Sequence, residues 1–355
     1  MRRTMLLAVV LAGLSLLFLP PTNAEQADWK TVKTKVVPLG KLECVSPAFK
    51  PKAVGGDRID LPVAGGKGIP IKITPQKVLI DKDLNGKLKF TAAQGSMSKV
   101  FPVTLVYSNG DKVRHFYKIT KAGSGWALVR MSALEAAVEG KRIWIIDENN
   151  NGIFGEKGED GIYYAKKPWG WPFSNVTLIG GKLVELKLNE SGKELSYRPY
   201  AGPTGKLDIF KEWNGKKKPE VVIIQGSTDD GAVFLNAVSK GAIDVPPGNY
   251  RFLVAYMKDV VIRGGNGGNF TVEEDGEAAV FKWGMPLKIQ AAVSYDRRRK
   301  KFTVSPTPRI TGAAGERYTG DFLNGNRVAG FKLQLATANG KPVGRPTKWT
   351  PTGGC

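Results

Sequence analysis

The stretch Val103–Ile119, VTLVYSNGDKVRHFYKI, decides the fold class. Two arms rich in β-branched and aromatic residues flank Asn109-Gly110, a pair that readily takes the positive φ angles of a tight type I′ turn. The spacing therefore predicts a β-hairpin. Six further Asn-Gly pairs stand at 85–86, 151–152, 214–215, 266–267, 324–325 and 339–340, so the same punctuation recurs along the chain. Between such breaks lie short apolar runs, at 77–80, 126–130, 142–146, 161–165, 176–179, 183–188, 221–224, 250–256, 269–273, 279–282, 287–294, 301–305 and 331–336. Only Met131–Glu139, MSALEAAVE, reads as a helix, with Ser132 as its cap and Gly140 as its stop. Many short strands and one short helix near 131–139 predict an all-β protein of two β-sandwich domains, Ig-like or prealbumin-like.

The chain has 355 residues, of which the first 24 read as a secretory signal peptide. Met1–Arg3 is basic and Met5–Leu19 is apolar, interrupted by Gly13 and Ser15, before Pro20–Ala24 offers a small residue for cleavage. About 15 apolar residues fall short of the roughly 20 that span a bilayer. Export is expected, to the periplasm, the cell surface or the medium. A polar lead follows at 25–40, then an N-terminal β domain at 41–200 and a C-terminal β-sandwich region at 201–355. The boundary is set at Tyr197–Gly205, where two prolines and two glycines break the strand pattern.

Lys and Arg number 53 against 32 Asp and Glu, a net charge of +21. Loss of Arg2 and Arg3 with the leader would leave +19. A hydrophobic fraction of 42% is too high for a disordered polycation. One histidine and two cysteines argue against a histidine-rich, cysteine-zinc or iron–sulfur centre. Cys44 and Cys355 form an even pair that an oxidising compartment could join as a disulfide. Free thiols or a bridge between chains are the alternatives.

Two segments carry the pattern of half a calcium loop. Asp81, Asp83 and Asn85 precede Gly86, and Asp147, Asn149 and Asn151 precede Gly152, each after an apolar strand. Oxygen side chains at alternate positions converge when the chain turns, and the glycine permits the turn. In the second loop the Ile153 carbonyl would add a ligand, and Asp160, or else Glu156, would complete the shell. The acid expected at position twelve is missing, because Gly158 stands there in the second loop and Ala92 in the first. Lys82, Lys87 and Lys89 crowd the first loop, which reads better as a plain Asx-type turn.

The run from Ile145 through the 147–160 loop, with VTLIGGK at 176–182 and YRPYAG at 197–202, resembles uncharacterised exported bacterial β-sandwich proteins with strand-borne EF-hand-like loops. The resemblance spans roughly 100–205. It implies an envelope or extracellular protein with calcium loops, and it carries no catalytic residues. In the second half, VPPGNYRF at 245–252 resembles a turn of prealbumin-like and carboxypeptidase-regulatory-like modules, which implies a non-catalytic sandwich.

His115 is the sole histidine, so a Ser-His-acid triad would have to use it. No G-x-S-x-G elbow, H-E-x-x-H or Walker loop occurs. Two basic clusters read as hairpin tips: Lys211 with Lys216–Lys218, and Arg297, Arg298, Arg299, Lys300 and Lys301. Such tips guard sheet edges or meet a polyanion, such as acidic polysaccharide, lipopolysaccharide phosphate or DNA. Trp169 and Trp171, two apart, would share one face of a strand where sugars stack. The expectation is an exported, non-enzymatic β-protein with a structural or adhesive role, stabilised by calcium. The alternatives are a polyanion- or carbohydrate-binding module and a carboxylate-based hydrolase.

Overall fold

A computed structural model describes residues 28–348, apart from 41, 43, 45, 49, 94–99, 230, 258–259, 266, 291–292, 300, 305–308, 320–331, 337–338 and 340. Among the described residues the chain is all-β, with no helix. Three large apolar cores organise it.

The first core lies between two four-stranded sheets. One is ordered 52–54, 125–130, 112–122, 101–106, and the other 58–59, 69–73, 77–80, 89–93. Alternation along Lys112–Ala122 sends Val113, His115, Tyr117 and Ile119 inward, and Ile69, Ile71, Val78 and Ile80 meet that core from the other sheet. The hairpin that decided the fold class pairs Val103 with His115 and Leu105 with Val113. Its turn is longer than type I′. The N–H of Gly110 donates to the Tyr107 carbonyl, and only the glycine of the Asn-Gly pair has a positive φ, +84°. A type I turn closed by a left-handed glycine fits that geometry.

The second core sits between a sheet ordered 170–172, 161–164, 141–146, 132–138, 35–38 and a sheet ordered 30–33, 194–199, 182–188, 176–179. Segment 25–40 is therefore more than a polar lead. Lys30–Lys33 pairs with 194–197 and Lys35–Pro38 pairs with 132–135, so one short run supplies an edge to both sheets.

The expected helix at 131–139 is a strand, Ser132–Val138, hydrogen-bonded on both sides. Ala, Leu, Met and Glu favour a helix locally, but burial of both faces overrides that preference. Leu134, Ala136 and Val138 enter the second core, while Ala133 enters a small cluster with Leu39, Trp144, Ile146 and Tyr163. Glu139 and Gly140, with φ of +47° and +72°, form the two-residue turn to the strand Lys141–Ile146. The residue read as a helix stop is thus a hairpin turn residue.

The third core gathers residues from Leu207 to Ile262 with an aromatic group in which Trp283 touches Trp213, Phe252 and Phe281. Residues from both sides of 197–205 share these cores. Val221, Ile223, Val254 and Tyr256 join the second core, and Val176 and Leu178 join the third.

Candidate functional site

The loop 147–160 leaves the strand Lys141–Ile146 and touches the first and second cores. Tyr107 Oη donates to the Gly152 carbonyl from the first core, at 2.7 Å. Phe154 packs in the second core, and Gly158 lies against the Phe234 ring. Gly152 is held tightly: its φ is +89°, and a Cβ there would stand 2.5 Å from Pro62 Cδ.

Asp147 closes the loop. Its Oδ1 accepts the N–H of Asn151 at 3.2 Å and its Oδ2 that of Gly152 at 2.7 Å. Asn149 Oδ1 accepts the same Asn151 N–H at 3.1 Å, and Asn151 Oδ1 accepts that of Ile153 at 2.8 Å. On their other edges, the amides of Asn149 and Asn151 both donate to Glu156 Oε2, at 3.1 and 2.6 Å. The amides of Asn149 and Asn151 thereby meet at Glu156, while their oxygens and those of Asp147 face the backbone N–H groups of the turn. Of the two acids proposed to finish the shell, Glu156 is the one brought to the asparagines. Asp160 instead uses Oδ2 to accept the Glu156 N–H, while its Oδ1 is buried without a partner. Burial first, and the nearby Asp147 charge second, push the Asp160 carboxyl well above the usual range. Ile153 is partly exposed at the outer turn of the loop.

Behind Asp147 stands a residue that the loop pattern does not include. Arg130 pairs its Nη2 with Asp147 Oδ2, both side chains essentially sealed from solvent. Its guanidinium lies 4.7 Å from the Tyr117 ring centre and 4.8 Å from that of Phe154. A guanidinium suits this place because its planar face stacks on aromatics while its edge meets a carboxylate. Asn150, with φ of +58°, turns its side chain back to accept the Arg130 N–H at 2.5 Å.

No family model, curated protein or solved structure matches the chain.

A second buried group flanks the loop. Glu148 Oε1 accepts from Tyr163 Oη and, at 3.2 Å, from Ser46 Oγ. Burial, opposed by those hydrogen bonds, lifts the Glu148 carboxyl to about 7. Burial first, and Glu148 second, push the half-buried Cys44 thiol up to about 12. Arg130 and Glu148 were missed by sequence reasoning. Their only signal was an ionisable residue inside an apolar strand, or next to a motif acid.

The first loop repeats the backbone of the second. Asp81 Oδ1 accepts from the Asn85 N–H at 3.0 Å, and Oδ2 from that of Gly86 at 2.7 Å. Asp83 faces outward to Lys82 and Lys89, whose hydrogen bonds hold its carboxyl below the usual range. Asn85 Oδ1 accepts the Lys87 N–H at 3.1 Å. The three polar ends do not share a focus with a further acid. Across the described residues, no three His, Cys, Asp or Glu side chains group as a metal centre. The second loop offers two carboxylates and two amides.

The remaining candidates are placed as follows. Trp171 is fully buried and donates to Thr177 Oγ1 at 2.9 Å, so it cannot present a sugar-stacking face. Trp169 is partly buried and stacks on Tyr256, with ring centres 4.4 Å apart. The proline turn before them puts both rings to packing use. The hairpin Val293–Asp296 with Lys301–Val304 does carry Arg297, Arg298 and Arg299 exposed at its turn. Lys300 and Cys355 lie outside the described residues, as does any pairing of Cys355 with Cys44. His115 is fully buried, 3.2 Å from Ser132 Oγ, and burial holds its imidazole well below its usual range. Ser132 is equally buried and already accepts the Phe116 N–H at 3.1 Å, so this Ser-His pair is closed to a substrate.

Proposed function

We propose that the protein is an exported, non-enzymatic β-scaffold, with a structural or adhesive role at the envelope or outside the cell, whose 147–160 loop is braced by calcium. The gathering of Asp147, Asn149, Asn151 and Glu156 within one loop, with both asparagines bonded to Glu156, carries this reading. Hard oxygen ligands of that kind suit calcium. With no helix pair among the described residues to open, an ion there would stiffen a junction and signal nothing. Thermal melting in calcium and in EGTA tests it. Calcium at a hundred times its Kd would add about 2.7 kcal/mol to stability. The Glu156→Gln variant, which leaves the Arg130–Asp147 pair intact, is expected to lose most of that shift. A melting temperature indifferent to calcium would overturn the brace.

The exposed turn Arg297–Arg299 favours an adhesive rather than a purely structural role. A basic hairpin tip on a chain of +21 suits an acidic polysaccharide. Retention on heparin should collapse at about 0.5 M salt. Replacing the three arginines by glutamine should weaken retention, and unchanged retention would exclude the tip.

A further inference from the structure

Thr104 and Arg114 stand opposite each other on neighbouring strands, and Lys112 is two residues from Arg114, so all three project from the outer face of the hairpin sheet. All three are exposed. The turns at 63–64 and 82–84 stand beside that face and line with it an open cleft of about 450 Å³. Ligand sites commonly measure about 300–1,000 Å³, so a small organic molecule has room there. Val63, Leu84, Pro102 and Val106 supply apolar walls to the same cleft.

The cleft carries three cations, Lys82, Lys112 and Arg114, against one acid, Asp83, a balance of +2. Asp83 is satisfied from within the protein, since Lys82 takes one of its oxygens and Lys89, at 3.0 Å, takes the other. The chain from 84 to 110, which builds much of this face, contains no Asp or Glu. The next acid, Asp111, is engaged by Lys193 at 2.6 Å. Among the described residues, Lys112 and Arg114 have no carboxylate partner. A guanidinium offers a planar fork of donors, an ammonium adds a point charge and a threonine hydroxyl one more donor, a set that suits phosphate oxygens. A phosphate monoester carries about −1.5 to −2 charges at neutral pH, which matches the balance of the cleft. We propose that this cleft binds a phosphate monoester on a small organic body, such as a sugar phosphate. Arg114, Lys112 and Thr104 receive the phosphate, and Val63, Pro102 and Val106 receive the body. The site uses no residue of the 147–160 loop or of the arginine tip.

The test is titration of the full chain with glucose 6-phosphate, inorganic phosphate and glucose, followed by calorimetry and by amide shifts. Glucose 6-phosphate should bind at least about tenfold more tightly than glucose, the size of one charge-assisted hydrogen bond. It should also exceed inorganic phosphate, which cannot use the apolar walls. The shifts should centre on Thr104, Val106 and Arg114. Arg114→Gln and Lys112→Gln change exposed side chains on which packing does not depend, and each should weaken glucose 6-phosphate binding by about tenfold. Replacing Arg297, Arg298 and Arg299 by glutamine should leave it unchanged. Glucose or inorganic phosphate binding as tightly as the ester, no binding at all, undiminished binding by both the 112 and 114 variants, or loss of binding with the arginine tip would each overturn the assignment.

Discussion

Two loops of this protein share a sequence pattern, a backbone and a buried closing aspartate, yet their partners differ. In each, one aspartate receives the N–H groups four and five residues on, at nearly the same distances. In each, the residue before the asparagine of the Asn-Gly pair is left-handed: Leu84 at +51° and Asn150 at +58°. The difference lies in what surrounds that closure. Asp83 of the first loop faces two lysines near solvent. The second loop turns inward, pairs its aspartate with a buried arginine, and draws Asn149 and Asn151 onto Glu156. A short motif specifies how the chain turns. The partners that fill the turn come from elsewhere in the fold.

Removing the cation beside each loop should separate them most. Arg130→Met leaves Asp147 buried without its partner and should cost about 3–5 kcal/mol in urea unfolding. Lys82→Ala, at the exposed pair, should fall within about 0.5 kcal/mol. Costs of similar size would break the comparison. A smaller effect concerns the shell of the second loop, where His115 packs 5.1 Å from Phe154. Its folded-state pKa is depressed, so its contribution to stability is complete above about 6.5 and is lost as pH falls below that value. The unfolded chain takes a proton there that the native state refuses. Between pH 7 and pH 5 the protein should therefore lose stability relative to His115→Gln. Parallel pH profiles for the two proteins would show that burial of His115 is not what the acid attacks.

The strands were largely legible because short apolar runs and turn residues are local signals. Lys77–Ile80 and Val176–Ile179 stand where short apolar runs placed them, whereas the run read as one strand at 287–294 is split between Lys288–Gln290 and Val293–Asp296. The failures came where distant residues decide. Ser132–Val138 has helical composition and becomes a strand because two neighbouring strands claim its backbone. Lys30–Pro38 is rich in lysine and looks like a tether, but alternate Val32 and Val36 pack on the second core. Trp171 lies on a strand buried on both faces, so spacing alone could not tell a binding platform from a core residue. At the candidate site, the pattern named Asp147, Asn149, Asn151 and the Ile153 carbonyl, and put Asp160 ahead of Glu156, the acid that does meet the asparagines. It had no means of naming Arg130, which arrives from a strand that ends 17 residues earlier.

The central claim is that the second loop locks the first and second cores together while the first only turns the chain. Native-state hydrogen exchange addresses it directly, because the N–H groups of Asn151 and Gly152 and those of Asn85 and Gly86 make equivalent bonds to an aspartate. The account predicts that Asn151 and Gly152 exchange only through global unfolding, and more slowly still in calcium than in EGTA. Asn85 and Gly86 should exchange through local opening, at a rate calcium does not change. Fast, calcium-independent exchange at Asn151 and Gly152, matching that at Asn85 and Gly86, would contradict it.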